Sequence, residues 1–365
     1  MEDVPVQVGL LLVTAVALIA VAPRVLARCH RLRAAPSPAL VLWQAVALAG
    51  VFAGVCVAPL AALQFSRRWL GPSAPASDFW LLVAGLAISA ALIIQLAVQG
   101  HRIGTALRRA RRRHTELLDL VGTTSTDLSR AHPVRIIDHP TPTAYCIPGR
   151  RQHVVLAAGT LAALPDEEVD AVLAHERAHL RYRHDLILEF FTVMYTAVPT
   201  PVRSDPALAE VRLLTEVLAD RGAVRRVGAG PLARALVALA EAPGSEAPPN
   251  PGSAPKPEAP PKPRAAPEPE APVDPGAALD PDAVLDPGAV LDAMGAAAAG
   301  AAIGAARPIV ADGPVTTGAS APLTRLRLLA DDRRHYLLAA GALLVAALIA
   351  ATPIALVWAS VLGLN

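Results

Sequence analysis

Lysine is almost missing from this chain: Lys256 and Lys262 are its only two, although Lys and Arg together number 33. Arginine therefore carries nearly all the positive charge. The formal net charge is only +2, so no global basic field points to nucleic acid. Cysteine is scarce too. Cys29, Cys56 and Cys146 are too few and too scattered for a disulfide framework, which excludes a small disulfide-stapled secreted fold. Aromatic residues make up just 4% of the chain while 53% of it is hydrophobic, and the mean hydropathy is +0.43. Soluble domains rarely average so apolar, so membrane spans are the first expectation.

Four apolar runs are long enough to cross a hydrocarbon layer of about 30 Å, which takes about 20 helical residues. They lie near Val4–Ala22, Ala39–Leu63, Phe79–Val98 and Tyr336–Leu362. The first has its charged flank after the apolar run and no small-residue cleavage site, so it reads as a retained span and not as a secretory signal. Arginine sets the orientation. The N-terminus has Glu2 and Asp3 and no base; Arg24, Arg28, Arg31 and Arg33 follow the first run. The next loop has Arg67, Arg68 and Asp78, and the third run is followed by RIGTALRRARRR. Arg325, Arg327, Arg333 and Arg334 precede the fourth. This alternation is satisfied by a multi-pass cell-membrane protein with both termini outside and everything from about His101 to His335 in the cytoplasm. The basic run Arg102–Arg113 abuts a span, so it reads as a topology signal touching anionic head groups, with no direct nucleic-acid contact.

The segments divide as residues 1–100 (three spans), 101–241 (a globular cytoplasmic domain), 242–320 (an insertion) and 321–365 (a juxtamembrane helix and the fourth span). Prolines occupy 15 of the 45 positions from Pro243 to Pro287, followed by LDPDAV and LDPGAV repeats and an Ala/Gly run. Such composition buries too little apolar surface to offset its ordering entropy, so 242–320 is expected to be disordered, a spacer whose proline-rich part samples polyproline II. The globular segment has a buried strand beginning at His153 and stopped by Gly159, then Asp166, Glu167 and Glu168 at a helix start. Val169, Val172, Leu173 and Leu180 recur at helical spacing. A helix is thus predicted over about Asp166–Asp185, packed behind an edge strand. The run Leu186–Val198 is short for a span and is expected to be a buried or interfacial helix.

That predicted helix carries His175-Glu176-Arg177-Ala178-His179. Residues four apart project from nearly one helix face, so His175 and His179 are placed to aim two imidazoles at one ion. Glu176, about 100° further round, sits beside such an ion where it can take a proton from water. A catalytic zinc usually has three protein ligands, so a third must come from elsewhere. LLTEVLADRGAV supplies Glu216 and, one turn on, Asp220. Two acids at that spacing repel unless they share a cation, which fits Glu216 as third ligand and Asp220 as acceptor for a ligand histidine's N–H. Glu210 and Asp205 are alternatives for the third ligand. His184 is expected to point elsewhere, as a surface residue, and Glu189 to be a surface carboxylate.

VVLAAGTLAALPDEEVDAVLAHERAHLRYRHD, followed by EVLADRGA, resembles the metallopeptidase domain of BlaR/MecR-type membrane sensor-transducers, and more distantly HtpX-like and CAAX prenyl peptidases. The likeness covers about Ala144–Ala223. It implies a mainly α polytopic membrane protein, with four transmembrane helices and a cytoplasmic α+β zincin-like (gluzincin) peptidase domain. It also implies a zinc ion on His175, His179 and Glu216, Glu176 as catalytic base, Asp220 as the acid of an E-x-x-x-D element, and a protein or peptide substrate. The β-lactam sensors continue past their last span into an extracellular penicillin-binding domain. This sequence ends at Asn365, so no such sensor is expected, and the proline-rich insertion departs from the family pattern. Two substrate classes follow: a cytoplasmic transcriptional repressor, or damaged membrane proteins as for HtpX-like enzymes. A non-catalytic membrane scaffold using the proline-rich segment is the reading of a different class.

Overall fold

The computed structural model describes residues 6–69, 77–125, 128, 133–149, 152–241, 320–330 and 335–362. The expected disordered insertion falls almost wholly outside them.

Four helical stretches are long and apolar enough to cross a membrane: Val6–Arg28, Pro36–Phe65, Trp80–Leu120 and Tyr336–Leu362. The first comprises α1 (Val6–Val16), a π-helical turn (Ala17–Val21) and α2 (Ala22–Arg28). Pro23 in the first turn of α2 has no N–H to give, and the widened turn precedes it. α3 (Pro36–Trp69) and α4 (Ser77–Val121) are single long helices. The basic run Arg102–Arg113 therefore continues the third span as one helix, without a break at the apolar boundary.

After α4 come β1 (Thr123–Ser125), β2 (Val134–Ile137), β3 (Ala144–Ile147) and β4 (His153–Ala157), in the order β1-β2-β4-β3. β4 pairs parallel with β2 and antiparallel with β3. Hence the strand preceding the histidine helix is central, not an edge; β3 is the edge beside it. β4 has every residue buried, as a strand covered on both faces must. It ends at Ala157, two residues before Gly159, where α5 (Ala158–Ala163) begins.

α6 (Asp166–Tyr182) packs Val169, Val172, Leu173 and Leu180 against Val134, Val154 and Leu156, with Ala144 and Cys146 of β3 alongside. The opposite sheet face covers Leu118 of α4 with Ile137, Tyr145 and Val155. The acids at the start of α6 do more than favour its dipole: Glu167 and Glu168 accept from Arg234 of α9 (Ala229–Glu241) at 2.6 and 2.9 Å. α6 stops at Arg183, whose φ of 52° is left-handed, and the chain restarts as α7 (His184–Ala197). α7 covers the Leu186–Val198 run, expected as a buried or interfacial helix, and buries Leu188, Phe191 and Val193 of it. Its Leu188 and Phe191 join Ala39, Leu40 and Trp43 of α3 and Val211 and Leu214 of α8 (Asp205–Val227) in one cluster.

Two arginines read as topology signals, Arg24 and Arg33, also clamp this junction, together with Arg221 of α8. Arg33 donates twice to the buried Glu210, at 2.8 and 2.6 Å. Arg24 Nη2 reaches the carbonyls of Pro201 and Arg203, and Arg221 returns to the Ala34 carbonyl at 3.0 Å. A last short helix, α10 (Ser320–Ala330), lies against α8 and α9 before α11 (Tyr336–Leu362).

Candidate metal centre

α6 and α8 cross where both helices are small. Ala178 faces Gly222, and a Cβ on Gly222 would lie 2.7 Å from the Ala178 Cβ. Only glycine allows so close an approach, and that approach brings Glu216 and Asp220, on the preceding turns of α8, up to the histidines of α6.

The ring atoms His175 Nε2 and His179 Nε2 lie 3.1 Å apart. One Glu216 carboxylate oxygen is 3.5 Å from His175 Nε2, and the other is 3.4 Å from His179 Nε2. These three groups are the one His/Cys/Asp/Glu set among the described residues whose donor atoms all lie within 4.8 Å of one another. A tetrahedral ion with bonds of about 2.0–2.1 Å holds its ligand atoms about 3.3 Å apart. Two imidazoles and a carboxylate at 3.1–3.5 Å therefore fit zinc in both donor type and spacing.

The far sides of both rings are occupied. His175 Nδ1 lies 2.9 Å from Asp220 Oδ1, the acceptor expected from its spacing after Glu216. His179 Nδ1 lies 2.9 Å from His184 Nδ1. His184 is thus no surface residue: it is 1% exposed. The left-handed Arg183 turns the chain between α6 and α7, so the first residue of α7 folds back onto His179. A continuous α6 would have carried it away. His184 also stacks on Tyr182, with ring centroids 5.9 Å apart.

Arg325 was read from sequence only as a topology signal. In the fold it enters from α10 and donates to both oxygens of Asp220, at 2.8 and 2.6 Å, with Nη1 3.3 Å from Glu216. Its spacing in LTRLRLLA gives a helix but nothing that names its partner. Cys146, on edge strand β3, was likewise missed as a neighbour: its buried thiol and the Glu176 carboxylate perturb one another. The two alternative third ligands are engaged elsewhere. Glu210 holds Arg33, and Asp205 accepts from the Tyr195 hydroxyl.

The charges in this buried cluster are strongly perturbed. Burial opposes a charged His175, but Asp220 and Glu216 outweigh it and push its pKa up to about 10. Burial lowers His179 to about 4 and His184 to about 3, the second also repelled by His179. Glu176 is raised, mainly by burial, against the pull of His175. Glu216 moves the other way: burial raises it, but His179, His175 and Arg325 together hold it well below the usual carboxylate range. Burial pushes the Cys146 thiol up, and Glu176 pushes it further. Neighbouring carboxylates held so differently mark two roles, one kept anionic and one poised to carry a proton.

Residues 107–202 match Peptidase family M48, a stretch that runs from the end of α4 through the sheet, α6 and α7. The chain is also 39% identical over 66 residues to a "Protease HtpX homolog" of Limosilactobacillus fermentum. That similarity covers 18% of this chain and 22% of the relative, so the chain spans about a fifth of the length of the protein it matches. No solved structure matches. Together with the four apolar helices, these matches support a membrane metallopeptidase of the M48 kind, a family generally dependent on zinc. They do not extend to the specific BlaR/MecR type.

Proposed function

We propose that this chain is a membrane-embedded zinc endopeptidase whose site faces the cytoplasm. The observation that carries the reading is the convergence of His175 Nε2, His179 Nε2 and the Glu216 carboxylate on one point, with Glu176 buried next to it. When bound there, zinc supplies Lewis acidity that acidifies water and polarises a peptide carbonyl. Glu216 stays anionic and completes the donor set. Asp220 holds the Nδ1 proton of His175, and His184 that of His179, so both Nε2 lone pairs face inward. Glu176 takes a proton from the attacking water onto its carboxylate and passes it to the departing amine nitrogen. Its raised pKa suits a group that must both accept and release that proton.

The substrate is a protein or peptide. The similarity to a protease HtpX homolog favours cleavage of membrane proteins. The resemblance to BlaR/MecR-type transducers favours cutting a cytoplasmic repressor. Cells carrying wild type and Glu176→Gln separate these readings by their protein fragments. Many membrane-protein fragments missing from the variant indicate quality control, and a single missing fragment of a soluble regulator indicates signalling. Identical fragment patterns in both would leave a non-catalytic scaffold.

A further inference from the structure

Beyond its apolar part, α4 has one packed face and one bare face. Gly104 and Leu118 are buried, and Arg111 between them reaches Asp185 at 3.4 Å. On the opposite side Arg102, Ala106, Arg109, Arg113, Leu117 and Leu120 are exposed. Their spacing of three and four residues keeps them in one stripe, within about 80° at 100° per residue. Leu120 is 83% exposed, so the stripe runs from arginines into an uncovered apolar end. Arg112 pairs with Glu116 at 2.8 Å, whereas Arg102, Arg109 and Arg113 have no ion pair among the described residues.

A bilayer crossed by α4 neutralises only the near end of this stripe. Measured along the continuous helix from Val98, Arg102 lies at about 6 Å, Arg109 at about 16 Å and Arg113 at about 22 Å. Head groups extend about 5–8 Å past the hydrocarbon. Arg109 thus stands about one screening length of 8 Å beyond them, and Arg113 further still. The outer arginines call for an anionic partner other than the membrane. The same stripe of a second copy brings like charge and repels.

The chain itself carries the complement. From Glu268 to Asp292 it has seven acids and no base. Within that segment Leu279-Asp280, Leu285-Asp286 and Leu291-Asp292 each set one leucine beside one acid. Arginine and leucine on α4 thus face leucine and carboxylate on the segment. Glu268 follows the end of α9 by 27 residues and Asp292 precedes the start of α10 by 28. Either length reaches up to about 90 Å, more than the roughly 68 Å of the whole of α4. We propose that the acidic segment 268–292 docks along this stripe of α4, its carboxylates on Arg109 and Arg113 and its leucines on Leu117 and Leu120. The proposal rests on α4 crossing a bilayer and is independent of the peptidase chemistry. Exposed charge pairs are individually weak, so several act together and the contact is sensitive to salt.

The test places a photoreactive residue at the exposed Ala110, beside Arg109 and Arg113, in the full-length protein. The protein sits in phosphatidylcholine vesicles, which offer no anionic lipid, as a mixture of isotopically light and heavy chains. Crosslinks to residues 268–292 of the same chain are expected by peptide mass spectrometry, about tenfold fewer at an ionic strength of about 0.5 M. Arg109→Glu with Arg113→Glu is expected to cut them about tenfold as well. Both side chains are exposed, and thermal unfolding checks that the fold is kept. Asp280→Lys, Asp282→Lys and Asp286→Lys together are expected to do the same, and the two sets combined to restore the crosslink. Crosslinks to lipid, to a second copy or to another protein in place of 268–292 would overturn the proposal. So would an unchanged yield in either reversed set, or no recovery when they are combined.

Discussion

His179 and His184 meet Nδ1 to Nδ1 at 2.9 Å, across the left-handed turn at Arg183. For His179 Nε2 to present a lone pair, its proton must sit on Nδ1, so His179 donates and His184 accepts. This fixes the ring of a proposed zinc ligand from outside the site. Replacing His184 with Leu keeps bulk and removes the acceptor; zinc affinity is then expected to fall about 10–100-fold. Competition with a chelator measures it, and unchanged affinity would strip His184 of this role.

Arg325 is the cation that makes two neighbouring acids tolerable on α8. Its loss strands Asp220, 2% exposed at the side chain, without its bidentate partner. Arg325→Met is expected to destabilise the metal-free protein by about 3–5 kcal/mol. Zinc contributes positive charge at the same place, so the deficit is expected to shrink in the zinc-loaded protein. Thermal unfolding with and without zinc reads both numbers; equal deficits would mean that Arg325 and the metal do not share the carboxylates.

Helix spacing gives a third expectation. Gly222→Ala puts a methyl 2.7 Å from Ala178 Cβ, and such overpacking costs about 1–3 kcal/mol. The helices must part, carrying Glu216 away from the rings, so zinc affinity is expected to fall as well. Ala178→Gly in the same chain removes the opposing methyl and is expected to restore both. If the double variant binds zinc no better than Gly222→Ala alone, close approach is not what positions Glu216.

Zinc binding is expected to depend on pH with a definite sign. His175, pushed up to about 10 by its carboxylate neighbours, holds a proton at neutral pH in the metal-free chain. Zinc must displace it, so apparent affinity rises up to tenfold per pH unit and levels off above about 10. Calorimetry in buffers of different ionisation enthalpy is expected to show about one proton released at pH 7.5. His179 and His184, lowered to about 4 and 3, act oppositely on folding. Below about pH 6.5 the unfolded chain takes up protons that the folded one refuses, so metal-free stability is lost progressively as pH falls toward 4.

The four apolar helices and the paired histidines were legible because each depends on local periodicity: a run of apolar residues, or a repeat of four. Glu216 and Asp220 were legible as a pair because like charges one turn apart call for a cation. His184 was misread because a helix was extended through Arg183, and nothing in RYRHD marks a left-handed residue in place of glycine. Arg325 and Cys146 were missed for another reason. Each reaches the site from an element distant in sequence, and a side chain's long-range partner leaves no periodic trace.

The segment bearing Arg325 is the short helix immediately before the last apolar helix. Asp220, 2.9 Å from His175 Nδ1, is therefore held by a residue of the helix that precedes the last apolar helix in sequence. What that short helix does to the guanidinium is thus passed to the Asp220 carboxylate and from there to the imidazole behind it.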